Sequence, residues 1–246
     1  MFKKHWKIWF AVTLIAASAI LYYIHYLVFR NPEHIFIFLV SDIAFVPIEV
    51  LLVTLVLDGM LKRHDKLATV QKLNMVVGAF FTDVGTEALL RLSAFDTECC
   101  TVEESLRPNV DWKPSDFSAA RKVAEKMGAG VDARRGDLPG LQRYLHDQRD
   151  FLLRLLENPN LLEHDKFTDM LWAVTHLLEE LTRRDDLSNL PDSDLDHLSI
   201  DIGRAYVALT GEWVGYMMHL QSQYPYLFSL AVRTNPFDRG ASAEIG

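Results

Sequence analysis

Residues 35–58 read IFIFLVSDIAFVPIEVLLVTLVLD, an almost unbroken apolar run that contains Asp42, Pro47 and Glu49. The run is long enough to cross a bilayer, which takes roughly 20 apolar residues. Glu49 would then lie near the bilayer midplane, with Asp42 about two turns closer to one side. A carboxylate at such depth costs at least ~2.5 kcal/mol on insertion scales, so it normally faces a partner, a cavity or a pore. The acids are seven residues apart, nearly two helical turns, and therefore share one face of a helix. Pro47, between them, frees the carbonyl of Ile43 and favours a kink.

Upstream, the basic segment MFKKHWK (residues 1–7) precedes a second apolar run from Ile8 to Phe29. Ala17-Ser18-Ala19 resembles a signal-peptide cleavage site. The apolar run continues for ten residues beyond it, through Tyr22, Tyr23, Tyr26 and Phe29, well past a signal core, so it reads as a first membrane helix. Trp6 and Trp9 at one end and the tyrosines at the other supply aromatic belts. The connection Arg30-Asn31-Pro32-Glu33-His34 is short enough to force a tight antiparallel hairpin. Lys3, Lys4 and Lys7 flank the same side as Lys62, Arg63 and Lys66, whereas Arg30 stands alone in the loop. The positive-inside rule places both termini in the cytoplasm of a multi-pass protein in the cell inner (plasma) membrane.

Folding the hairpin about Pro32 sets Asp42 level with Tyr22 to Tyr26, including His25, and Glu49 level with Ile15 to Ser18. Tyr22 or His25 can satisfy Asp42 within one chain. Glu49 has only Ser18 or Thr13 at its depth and is the harder acid to accommodate.

The totals agree with a short membrane part joined to a larger water-soluble part. Half of the 246 residues are apolar and the mean hydropathy is +0.06, high for a soluble protein and low for a polytopic one. A net charge of -8 argues against a nucleic-acid partner, which needs clustered Lys and Arg. The only cysteines, Cys99 and Cys100, are neighbours; they suit a reducing compartment and give no disulfide framework.

The expected architecture is all-α. A transmembrane hairpin occupies 1–60, with crossings at about 8–29 and 35–58, and an amphipathic stalk helix spans 61–92. A cytoplasmic helical bundle follows over 93–238, and a flexible tail over 239–246. Leu67, Val70, Leu73, Val77, Phe80 or Phe81, and Val84 recur every three to four residues along the stalk. Gly59 is a candidate hinge; Gly78 and Gly85 suit either close packing or a flexible point. In the bundle, Ser115 or Asp116 caps a helix through Met127, and Asp137 caps another that ends at Asn158-Pro159. A third runs from about His164 to Arg184. Ser193 and Asp196 open the longest, to about Ser222, in the manner of a capping box. Tyr224 to Val232 forms a short apolar helix suited to packing on its own bundle, a neighbouring subunit or the membrane.

Chemistry-bearing motifs are sparse in the soluble part. His164, His176, His197 and His219 fall on or at the start of helices, near Glu179, Asp194 and Glu212. A carboxylate-bridged di-iron bundle needs Glu-x-x-His on two helices. The chain offers Asp194-x-x-His197 once and the reversed His176-x-x-Glu179, so no metal or other cofactor is expected. No Gly-x-Ser-x-Gly or glycine-rich phosphate loop is present, and no catalytic residue is assigned. The charged run 179–186 reads as a solvated helix end.

The stretches DIAFVPIEVLL (42–52) and YPYLFSLAVRTNPF (224–237) resemble bacterial two-helix membrane proteins, a likeness that implies no particular activity. The hairpin is also loosely similar to the mitochondrial calcium uniporter, which pairs two membrane helices with acids on the second. The uniporter signature Trp-Asp-x-x-Glu-Pro is missing here, so the likeness extends only to the principle of acidic rings.

The acids of the second helix have three readings: hydrogen bonding within the hairpin, bonding between hairpins, or rings around a cation path. Two helices cannot enclose a path, so conduction requires a homo-oligomer of three or more subunits. The leading expectation is such a cation channel, with Asp42 and Glu49 as acidic rings and Phe38, Phe45, Leu52 and Val56 as pore lining or gate. The alternative is a non-conducting, membrane-anchored scaffold or sensor that assembles through its bundle.

Overall fold

The computed structural model of the chain describes residues 6–97, 103–159, 161, 164–238 and 240–244. These are all-helical apart from turns and one isolated antiparallel bridge, Asp96 with Val131. Cys99, Cys100, Lys3 and Lys4 lie outside the described residues. The chain divides into two compact units, Met1–Lys66 and Leu67–Gly246.

The first unit is a helical hairpin of α1 (Trp6–Phe29) and the leading part of α2 (Pro32–Phe80). Two residues suffice for the reversal. Arg30 takes a left-handed backbone (φ 49°), and Asn31 accepts a hydrogen bond through Oδ1 from the Glu33 amide at 3.1 Å. Pro32 then occupies the first helical position, where no amide proton is needed. The Tyr22 hydroxyl reaches Asp42, and the His25 and Phe38 rings approach to 6.2 Å, which fixes the register of the two helices. Pro47 is accommodated within α2 without interrupting it, and Gly59 likewise lies inside the helix rather than at a break.

Two helices side by side have too little area to cover one another. The stretches Ile8–Phe29 and Ile35–Met60 are both long and apolar enough to cross a membrane, and neither is buried within the protein. Each large apolar side chain left in water forgoes roughly 1.5–3 kcal/mol. A third stretch, Leu73–Ser93, also passes on length and composition, but 44% of it is buried inside the second unit.

That burial revises the role of the expected stalk. Leu73, Val77, Phe80, Phe81, Val84, Ala88, Leu89 and Leu92 all belong to the core of the second unit. The α2 pattern is interrupted by a π-helical turn, Phe81–Gly85, before α3 (Thr86–Ser93). There the Phe80 ring meets Phe167 edge-on at 5.4 Å and the Phe81 ring stacks on Tyr216 at 5.2 Å. A Cβ on Gly85 would fall 2.5 Å from the Phe81 ring, so this glycine serves close packing.

The rest of the second unit comprises α4 (Pro114–Ala124), α5 (Leu138–Asp147), α6 (Arg149–Leu156), α7 (Asp165–Thr182), α8 (Asp192–Gln223) and α9 (Pro225–Arg233). Short 3₁₀ turns lie at Glu103–Leu106 and Met127–Gly130. Asp137 caps α5 by accepting from the Gly140 amide at 2.9 Å, as its sequence position suggests. The apolar pattern of 138–156 is split by a break at Gln148, which separates α5 from α6. His164 caps α7 with an imidazole nitrogen, accepting from the Phe167 amide at 3.1 Å.

Helix α8 is the centre of the bundle, packed by α7, α4, α3, α9 and the 127–130 turn. Its buried positions, among them Leu198, Ile202, Tyr206, Leu209, Trp213, Val214 and Met217, run round more than one face. The helix does not open with the expected Ser193/Asp196 box. It starts after Pro191, and Asp196 instead accepts from Arg134 at 2.9 Å, as does Asp192. The 127–130 turn comes so close that a Cβ on Gly203 would sit 2.9 Å from the Gly128 carbonyl oxygen.

Candidate functional site

In the hairpin, the residues expected to matter separate into engaged and unengaged groups. The Tyr22 hydroxyl donates to Asp42 Oδ2 at 3.2 Å, so one acid has an intrachain partner. His25 is not that partner; its ring lies between Phe29 at 4.7 Å and Phe38 at 6.2 Å. Phe38, expected on a pore-lining face, is thereby on the side of α2 that meets α1. Thr13 gives its hydroxyl to the Trp9 carbonyl at 2.8 Å. Glu49 makes no hydrogen bond or ion pair among the described residues, Ser18 included. Phe45, Leu52 and Val56 are exposed in the single chain.

The second unit assembles a group of side chains whose spacing differs from Glu-x-x-His. On α7, His176 and Glu180 lie one turn apart; on the neighbouring α8, His197 and Asp201 do the same. Residues four apart share a helix face, and the close packing of α7 on α8 brings the two faces together. His197 Nε2 is 3.3 Å from Asp201 Oδ2 and 3.7 Å from Glu180 Oε2, and His176 Nε2 is 3.6 Å from Asp201 Oδ2. The Asp201 side chain is 1% exposed and the imidazoles are about half exposed, at 46% and 52%.

Two arginines hold the carboxylates from outside. Arg204 donates to Asp201 Oδ1 at 2.7 Å, and Arg184 donates to Glu180 Oε2 at 2.8 Å. The Arg184 bond is the main reason that the Glu180 carboxyl is held below its ordinary value, against a contrary push from burial. Asp201 Oδ2 has no hydrogen-bond partner, although the atom is buried. His176, Glu180 and Asp201 each offer one ligand atom within 4.8 Å of the others. The sequence signal for this arrangement was present as His-x-x-x-Glu and His-x-x-x-Asp. Choosing these spacings over others required knowing that the two helix faces meet.

A second polar feature is a groove of about 400 Å³ that Asn74, Arg121, His164, Glu212 and His219 help to line. Glu212 is largely buried, and its carboxyl is raised above the ordinary value by that burial, with partial relief from His164, Arg121 and Lys166. His164 Nε2 lies 4.0 Å from Glu212 Oε2. His219 faces Asn74 at 3.3 Å, and burial lowers its basicity.

The fold thus defines an all-helical protein of two units: an unburied apolar hairpin and a helical bundle with a half-open histidine–carboxylate cluster. The chain belongs to the MJ1433 family, matching its N-terminal helical domain over residues 2–61 and its C-terminal helical domain over residues 69–233. It is 43% identical over 235 residues to "Uncharacterized protein MJ1433" of Methanocaldococcus jannaschii, covering 96% of this chain and 94% of that protein. The family boundary coincides with the division between the structural units. No solved structure matches the chain.

Proposed function

We propose that the chain is an integral membrane protein anchored by two crossings, through α1 and the apolar part of α2, with both termini on the cytoplasmic side of the plasma membrane. Copies assemble through contacts that reach Glu49 of α2, and the 67–246 unit serves as a cytoplasmic scaffold or sensor. The observation that carries this reading is Glu49, an acid in the middle of a lipid-length apolar helix with no partner among the described residues of its own chain. An ionisable group at that depth is retained where it meets another polar group or water, and a neighbouring hairpin supplies the first.

A cation path is the second reading, and Glu49 favours it too. Three or more copies around an axis would present a ring of Glu49 carboxylates, with Leu52 and Val56 as an apolar constriction. Asp42, which accepts from Tyr22, is a weaker candidate for a second ring.

Native mass spectrometry of the detergent-purified protein tests assembly. Glu49→Leu is expected to shift a ring of three or more copies toward monomer, and an oligomer indifferent to it would sink the Glu49 interface. Glu49→Gln keeps the capacity to hydrogen bond and separates the two readings. Loss of cation flux into liposomes with the oligomer intact favours conduction, whereas absent flux in the unmodified protein leaves the scaffold or sensor.

A further inference from the structure

We propose that His176, Glu180, His197 and Asp201 form a binding site for a divalent transition metal of the zinc class, clipping α7 to α8. This inference does not rest on the membrane reading, because all four residues lie within the second unit.

The argument begins with Asp201. A buried carboxylate needs pairing and hydrogen bonds to offset its lost hydration. Arg204 serves Oδ1 at 2.7 Å, while Oδ2 is buried and aimed between two imidazoles without accepting a hydrogen bond from either. That arrangement is poor for ion-paired histidines and good for a shared cation.

The spacings agree. Four ligands at about 2.0–2.1 Å from a tetrahedral zinc ion are separated from one another by about 3.3–3.4 Å. Three of the six pairwise separations, 3.3, 3.6 and 3.7 Å, are close to that figure. His176, Glu180 and Asp201 lie within 4.8 Å of one another, and His197, beside Asp201 and Glu180, would complete the set by rotating its side chain. Two imidazoles with two carboxylates are a nitrogen–oxygen set suited to zinc and its neighbours, rather than to copper(I), calcium or magnesium.

Surrounding groups complete the picture. The two imidazoles are about half exposed and give an entry route from solvent, with Asp201 as the buried floor. Arg204 and Arg184 orient the carboxylates from the second layer, as outer partners do in metal sites. Their positive charges oppose the ion, and Arg184 shares Glu180 Oε2, so the site is built for reversible rather than permanent occupancy. Binding would add a bridge between two helices that already pack together and are linked through the 183–191 segment, which suits a unit that senses metal.

The test uses the full chain in detergent, stripped with a chelator and titrated with Zn²⁺ alone and with Co²⁺ alone. One ion per chain is expected, with a rise of several degrees in Tm on adding Zn²⁺ and the intense visible bands of four-coordinate Co²⁺. His176→Ala/His197→Ala should weaken zinc binding by about 100-fold or more and abolish both the Tm rise and the Co²⁺ bands. Both side chains are half exposed, so helical content by circular dichroism should be unchanged. Asp201→Asn, nearly isosteric, provides an independent variant with the same expected loss. A stripped chain that takes up no zinc overturns the site. So does zinc binding that survives the double histidine variant or disappears in Cys99→Ser/Cys100→Ser.

Discussion

Gly203 and Gly211 lie on the same helix, two turns apart, and the structure predicts different outcomes when each is changed to alanine. At Gly203 the new Cβ would lie 2.9 Å from the Gly128 carbonyl oxygen, closer than Cβ atoms approach such groups. The obstacle is backbone, held in the 127–130 turn packed on α8, and cannot rotate aside. Overpacking of this kind costs about 1–3 kcal/mol. Alanine returns about 1 kcal/mol of helix propensity, leaving a net loss of up to about 2 kcal/mol. At Gly211 nothing lies within 4 Å of the Cβ position, so only the propensity gain applies. For a unit of this size 1 kcal/mol corresponds to about 2–4 °C in Tm. Gly203→Ala should therefore unfold up to about 8 °C below the parent, and Gly211→Ala about 2–4 °C above it, followed by circular dichroism of the full chain in detergent. A Gly203→Ala protein stabilised as much as Gly211→Ala would refute the close approach of the turn to α8.

Two further outcomes follow from single contacts. A double-mutant cycle of Tyr22→Phe with Asp42→Asn, read by denaturant titration in bicelles, should show that the two changes are not additive; zero coupling would remove the bond that sets the hairpin register. Burial raises the Glu212 carboxyl above its unfolded value, so the folded state binds its proton more tightly and stability falls as pH rises through the interval between the two values. Glu212→Gln should flatten that decline and stabilise the protein at neutral pH relative to the parent, with the difference vanishing below about pH 4, where the acid is protonated in both states; the opposite sign in a urea titration series would show that His164 and Arg121 outweigh burial.

Much of the helical outline is written in local sequence. The apolar stretch around Asp42 and Glu49, the tight reversal at Asn31-Pro32 and the cap at Asp137 each depend on residues within a turn or two of one another. Periodicity also exposes the apolar face of 73–92, though not what covers it: the same residues suit a stalk, a membrane span or a core, and contacts with Phe167 and Tyr216 decide for the core. Asp196 looks like part of a helix cap in sequence, but Arg134, 62 residues away, claims it. Asp201 likewise reads as one more helix-surface acid, yet it is 2% exposed because α8 is packed on several sides. A helix's sequence determines which side chains share a face. Which faces meet is settled by burial of apolar area between segments far apart in the chain, so His176 and Glu180 find His197 and Asp201 only in the tertiary structure.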